Sequence, residues 1–183
     1  MEAIKKIELN KIIKIVIITI LGTLLLTISA KIKIPFYPVP MTMQTFVVLF
    51  LGMSFGYKIG LATVSLYLIE GIFGLPVFSN SPEKGVGISY FTGPTMGYLI
   101  GFLFATFLAG YFNFKINFFY TFIKLVISVS VIYVFGVIWL GGLIGWDKPI
   151  MQLGVIPFLL AELFKILILT ILAKKIIKLR KFI

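Results

Sequence analysis

The chain alternates long apolar runs with short clusters of lysine, proline and glycine. The runs lie at 12–30, 43–56, 59–74, 94–111, 118–140 and 154–173, and each is apolar on all sides rather than along one stripe. A helix apolar all round belongs in a large core or in lipid. About 20 such residues cross the hydrocarbon layer of a bilayer. The second and third runs are short and are separated by a very short turn at Lys58, so they are expected as a tight hairpin inside a small bundle. The pattern predicts an all-α membrane protein. Six transmembrane helices form one compact bundle, a single domain over residues 1–183.

The connections differ in kind. Residues 31–41 carry three prolines, Pro35, Pro38 and Pro40, among apolar and aromatic residues. Proline fixes its own φ and pushes its predecessor toward extended backbone, so this segment is expected to cap the bundle without being helical. Thr42 is expected to N-cap the second run. Residues 75–92 form the longest polar connection, rich in Pro, Gly, Ser and Asn, and a loop of that length in a compact protein is usually functional or disordered. Small residues spaced by four let helices approach closely. Gly97, Gly101 and Ala105 make one such stripe, and Thr19, Thr23 and Thr27 with Gly22 alongside make another. The second stripe suits either packing within the bundle or a partner subunit. No signal cleavage site follows the first run, which is expected to be retained as a span.

Composition sharpens the membrane reading. The 183 residues are 60% hydrophobic and 13% charged, too little polar surface for a soluble globule of this size. The net charge of +11 could suit nucleic acid, but the basic residues sit at the ends of apolar runs, as membrane proteins place them. With both termini cytoplasmic, eleven basic residues fall inside: four in the lead up to Lys14, Lys58, Lys115 and five in the tail. Four fall outside, Lys31, Lys33, Lys84 and Lys148. That excess fits six spans with both ends in the cytoplasm of a cell membrane. Lys124, near the start of the fifth run, is expected to snorkel to the interface, and Trp139 and Trp146 to sit in the interfacial belt. The proline segment and the long loop then lie outside, above the start of the sixth run.

That run holds the main candidate chemistry. Glu162 and Lys165 are three apart and share a helix face. Charges at membrane depth face a cavity or a partner. They either satisfy one another or receive a polar ligand. Glu162 can accept from N–H groups and Lys165 can donate to a carbonyl or carboxylate. Phe36, Tyr37, Phe78, Tyr98 and Phe158 supply apolar surroundings. The pair therefore suits a small amphipathic ligand. Glu70, near the end of the third run, either snorkels or joins the site. The chain has neither histidine nor cysteine, and it lacks the Gly-x-x-x-x-Gly-Lys-Ser/Thr loop. P-loop ATP hydrolysis and the usual metal or nucleophile chemistry are excluded. No metal or other cofactor is expected. A proton-coupled secondary transporter using Glu162 and Glu70 is one alternative, with an internal repeat as its expected mark. An intramembrane carboxylate enzyme is another.

Four motifs carry a resemblance over nearly the whole chain. Residues 38–45 read Pro-Val-Pro-Met-Thr-Met-Gln-Thr and residues 74–78 read Gly-Leu-Pro-Val-Phe. Residues 93–98 read Gly-Pro-Thr-Met-Gly-Tyr, and Pro157-Phe158 precedes Glu162 and Lys165. Together these resemble the biotin-specific substrate-binding subunits of energy-coupling factor (ECF) transporters. The resemblance implies six helices, high-affinity capture of biotin from outside, and a partner module of one transmembrane coupling protein and two ATPases. It implies that Glu162 and Lys165, helped by Asn80, meet the ureido ring, with Gln44 a further polar contact. Tyr98 and Phe158 would pack the apolar body. The opposite pose, with Lys165 on the valerate carboxylate, is also allowed. The family's usual Gly-Asp-x-x-Lys reads Ala161-Glu162-Leu163-Phe164-Lys165 here. Its alanine-rich partner-facing stripe is replaced by Thr19, Gly22, Thr23 and Thr27.

Overall fold

In hydrocarbon each backbone N–H and C=O must find a partner inside its own segment, which makes helix the default for an apolar run. The computed structural model describes residues 2–114 and 117–182, and in residues 2–8 the backbone alone. Helix α1 covers Glu2–Lys31, α2 Gln44–Ile72, α3 Ile88–Phe91, α4 Met96–Tyr111, α5 Phe118–Ile144, α6 Ile150–Gly154 and α7 Leu159–Lys178. Four helical stretches, Leu9–Lys31, Gln44–Ile72, Phe118–Ile144 and Ile150–Phe182, are long and apolar enough to cross a membrane, and α4 is a shorter apolar helix. The protein is a multi-pass membrane protein of helices. Lys115, expected in the turn before the fifth span, lies outside the described residues, as do the side chains of Lys5 and Lys6.

The stretch Gln44–Ile72 is not one straight span. Gly56 has φ 77° and ψ 172°, a conformation open to glycine alone. The Gln44 side chain donates to the Tyr67 hydroxyl at 2.7 Å, although 23 residues of straight helix would hold them roughly 34 Å apart. Residues 44–55 and 57–72 are therefore two antiparallel arms, the hairpin that the run lengths predict. Glycines set their closeness. An added Cβ at Gly60 would lie 3.3 Å from Gly52 Cα, and one at Gly52 would lie 2.6 Å from Thr106 O of α4.

The stripe on α4 is a contact surface for α5: a Cβ at Gly101 would lie 2.7 Å from Ile132 Cα, and one at Gly97 would strike Phe135 O. The other stripe also turns inward. Gly22 faces Thr63 and Leu51 of α2, and Thr23 is 2% exposed. Those two of the four residues expected to face a partner are occupied by the chain's own hairpin, while Thr19 and Thr27 are half-buried. The outer side of α1 is instead bulky, with Ile17, Ile20, Leu24 and Ile28 exposed.

The sixth run is broken at its start. Pro157 sits in a 3₁₀ turn, Ile156–Phe158, after the short α6, and α7 runs on to Lys178. Proline fits the opening positions of a helix because its missing N–H would be unpaired there anyway. The proline segment is framed by a two-residue antiparallel ladder, β1 Lys33–Ile34 against β2 Met41–Thr42, with Lys33 opposite Thr42. Thr42 lies one residue before the cap position, Met43, yet its hydroxyl accepts Gln44 N–H at 3.3 Å. Lys124, near the start of α5, donates to Asn113 O at 2.6 Å.

Candidate functional site

The proline segment, the long loop and the starts of α2, α4 and α7 meet at one end of the bundle. Two lysines fasten the first two together. Lys31 donates to Phe78 O and Ser81 O, each at 2.8 Å, and Lys33 donates to Ser79 O at 3.0 Å and Asn80 Oδ1 at 2.9 Å. Beneath this lid lies a narrow cavity. Its space is about 550 Å³ counting the open mouth.

The charged pair lies at its edge. Glu162 and Lys165 are each 5% exposed, and Lys165 Nζ stands 2.7 Å from Glu162 Oε1. The three N–H bonds of Lys165 are matched by three acceptors: Glu162 Oε1 at 2.7 Å, Thr42 O at 2.7 Å and Thr45 Oγ1 at 2.9 Å. Thr45 in turn donates to Glu162 Oε1 at 2.8 Å. One carboxylate oxygen is thus doubly held, and the ammonium is saturated by the protein itself. The other oxygen, Glu162 Oε2, is buried and makes no well-formed hydrogen bond, and the Tyr133 phenol is the donor within reach of the carboxylate. Ser79 Oγ is likewise buried and unpaired. Both residues line the cavity. A buried polar atom left unpaired costs about 1–3 kcal/mol.

Of the residues singled out in the sequence, Glu162, Gln44, Tyr98 and Phe158 line the cavity. Gln44 is held by Tyr67, whose hydroxyl passes its own proton to Val77 O at 3.0 Å. Tyr98 donates to Gly154 O at 2.9 Å, which ties α4 to the end of α6. Phe158 packs edge-on against Phe36 at 5.9 Å. Lys165 stands behind Glu162, outside the lining. Asn80 is also outside it, turned to Lys33, and Glu70 is half-buried beyond it. Thr45 closes the motif at residues 38–45 without a role assigned to it, and Ser79 and Tyr133 are marked in the sequence only by a hydroxyl in apolar surroundings, which many structural serines and tyrosines share. Burial pushes the phenol of Tyr90, in the loop helix over the cavity, above its ordinary value, so it remains a neutral group at the mouth.

A carboxylate acceptor in a cavity lined largely by aromatic and aliphatic side chains suits a neutral ring that offers N–H donors. The comparisons with known proteins agree with that chemistry. The BioY family matches residues 3–182. A probable biotin transporter BioY of Pyrococcus horikoshii is 34% identical over 152 residues, 83% of this chain and 89% of the relative. The biotin transporter BioY of Thermotoga maritima is 34% identical over 158 residues, 86% of this chain and 92% of the relative. A crystal structure of the S-component for biotin from an ECF-type ABC transporter superposes with a TM-score of 0.78 and 25% identity, over 92% of this chain and 93% of the other. The chain belongs to the BioY family.

Proposed function

We propose that this chain captures biotin and serves as the substrate-binding subunit of an ECF-type transporter in the cytoplasmic membrane, a transport protein rather than an enzyme. The observation that carries the reading is Glu162, a buried carboxylate on the cavity lining whose Oε2 makes no well-formed hydrogen bond and has only the Tyr133 phenol in reach. The ureido ring of biotin offers two N–H donors and one carbonyl. An N–H donates to Glu162 Oε2, and the Ser79 hydroxyl donates to the carbonyl. Gln44 lies within the same polar corner. Tyr98, Phe158 and Tyr133 enclose the thiophane ring and valeryl chain. Lys165 acts one step back: its 2.7 Å contact with Glu162 Oε1 orients the carboxylate. Asn80 acts through the Lys33 contact that holds the lid. The cavity is narrow, so entry requires the two lysine fastenings to yield.

Six spans follow if the two arms at 44–55 and 57–72 cross as separate short helices within the bundle, with both termini cytoplasmic. Capture alone does not drive uphill import. The chain has no nucleotide-binding loop, and the reading includes a transmembrane coupling protein with two ATPases. That coupling protein meets the bulky outer side of α1, since the small residues at Gly22 and Thr23 are taken by the hairpin. The test is equilibrium binding of labelled biotin to the purified chain without partners. One biotin per chain should bind tightly, and Glu162→Gln should weaken binding at least tens-fold, the usual scale for breaking a buried charged pair. Absence of binding by the wild-type chain would overturn the reading. Unchanged affinity in Glu162→Gln would remove the carboxylate from the site.

A further inference from the structure

The end of the bundle opposite the cavity holds a second, roomier hollow. Lys11 of α1, Lys58 beside the Gly56 turn and Arg180 of the C-terminal turn line it, with about 990 Å³ of space counting the open side. Lys11 and Lys58 are exposed, and neither has an ion-pair partner among the described residues. Arg180 is fixed at the inner edge, its Nε donating to Met53 O at 2.8 Å and its Nη2 to Gly110 O at 3.1 Å. No described carboxylate lines the hollow. Tyr57 and Tyr111 also line it, the amphipathic ring type that settles at the headgroup level.

An apolar groove leads out of this hollow along the seam between α1 and the first arm of α2. Phe55 lines both spaces. Ile18, Leu21 and Leu25 form one wall of the groove, Phe50 and Leu51 the other, and the backbone of Gly22, packed against Thr63, lines its floor. Lys11, Ile15, Ile18, Gly22 and Leu25 follow one another at spacings of four, three, four and three, one continuous helix face. From Ile15 to Leu25 that face runs roughly 15 Å, about the hydrocarbon depth of one leaflet. The upper part of the groove, framed on α1 by Ile18 to Leu25, has about 390 Å³ of space counting the open side, the calibre of an acyl chain rather than of a whole helix about 10 Å across. A charged pocket continuous with a thin apolar channel of leaflet depth has the shape and polarity of a lipid.

We propose that this seam is a specific site for one anionic phospholipid, with its phosphate among Lys11, Lys58 and Arg180 and one acyl chain lying against Ile15, Ile18, Gly22 and Leu25. Basic pockets of this kind hold anionic headgroups on the cytoplasmic side of membrane proteins. The experiment is native mass spectrometry of the full-length chain in detergent, with phosphatidylglycerol and phosphatidylcholine of identical acyl chains added in equal amounts. One phosphatidylglycerol should be retained in preference. Lys11→Gln and Lys58→Gln should each lower that preference about fivefold, while biotin binding, sited at the other end, stays as in the wild type. Ile18→Trp, which fills the groove and leaves the charges in place, should also release the lipid. Millimolar inorganic phosphate should not displace it. Equal retention of the two lipids, or lysine variants with undiminished preference, would overturn the site. Displacement by inorganic phosphate would reduce it to a phosphate pocket. Lysine variants that keep lipid preference but no longer assemble with the transmembrane coupling protein would assign the hollow to that partner instead.

Discussion

Glu162 and Lys165 sit three residues apart on the first turns of α7, and the structure gives them unequal tasks. All three Lys165 donors are used within the protein, whereas Glu162 keeps one oxygen unpaired. Removing either partner leaves an uncompensated buried charge, which typically costs 3–5 kcal/mol, while replacing both by apolar groups is often neutral. Glu162→Gln and Lys165→Met should therefore each lower the thermal unfolding midpoint in detergent. The double variant Glu162→Gln, Lys165→Met should be more stable than Lys165→Met alone, yet still fail to bind biotin. A double variant as unstable as the sum of the two singles would show that the pair is not energetically coupled. Lys165→Met that binds biotin normally would show that the ammonium has no part in orienting the carboxylate.

At the level of elements, glycine contacts decide which helices can touch. A Cβ at Gly110 would strike Tyr57 N at the hairpin turn, and one at Gly52 would lie 2.6 Å from Thr106 O. Both obstacles are backbone and cannot swing aside. Gly110→Ala and Gly52→Ala should each destabilise by about 1–3 kcal/mol, the usual cost of overpacking. Gly142 of α5 has nothing within 4 Å of its Cβ position, so Gly142→Ala should be neutral or gain up to about 1 kcal/mol from helix propensity. Denaturant unfolding of the three variants checks the order, and equal losses in all three would refute it. These contacts also explain what the sequence could disclose. Apolar run length and the three prolines foretell the helices, the hairpin and the cap, because each rests on local chemistry, but the turn falls at Gly56 and Lys58, expected there, lies in the second arm. The face a residue presents does not. Thr19, Gly22, Thr23 and Thr27 read equally as a partner stripe or as internal packing until Thr63 and Leu51 are placed against Gly22. Glu162 and Lys165 are legible through their cost in an apolar run. Thr45, which bridges them, is a hydroxyl of ordinary kind 117 and 120 residues away, and only the fold brings it there. Asn80 has the right chemistry in the right loop, but Lys33 claims its side-chain oxygen.

Across the whole molecule the charges divide by end. Arg180 grips Met53 O and Gly110 O, and it shares a hollow with Lys11 and Lys58, so the tail, the start of α1, the hairpin turn and the end of α4 lie together. Lys174, Lys175, Lys178 and Lys181 follow at that end. The lid end holds Lys31 and Lys33, which are occupied by loop carbonyls, and Lys84, which lies 5.8 Å over the Tyr37 ring. Trp139 donates to Gly93 O at 2.9 Å, which places the last turns of α5, and hence Asp147 and Lys148, at the lid end too. Lysine and arginine bias sets orientation, and acidic residues count for little, so the crowded end should be cytoplasmic and the cavity beneath the lid should open outward. The chain contains no cysteine, so single cysteines report without background. Glu83→Cys and Asp147→Cys, at exposed lid-end positions, should react with a membrane-impermeant maleimide in intact cells. Lys181→Cys, exposed at the other end, should react only after permeabilisation. Added biotin should slow labelling of Glu83→Cys if the lid is held more tightly over a filled cavity, and should leave Lys181→Cys unchanged. Labelling of Lys181→Cys in intact cells, with Glu83→Cys protected, would invert the molecule. A cavity facing the cytoplasm could not capture biotin from outside.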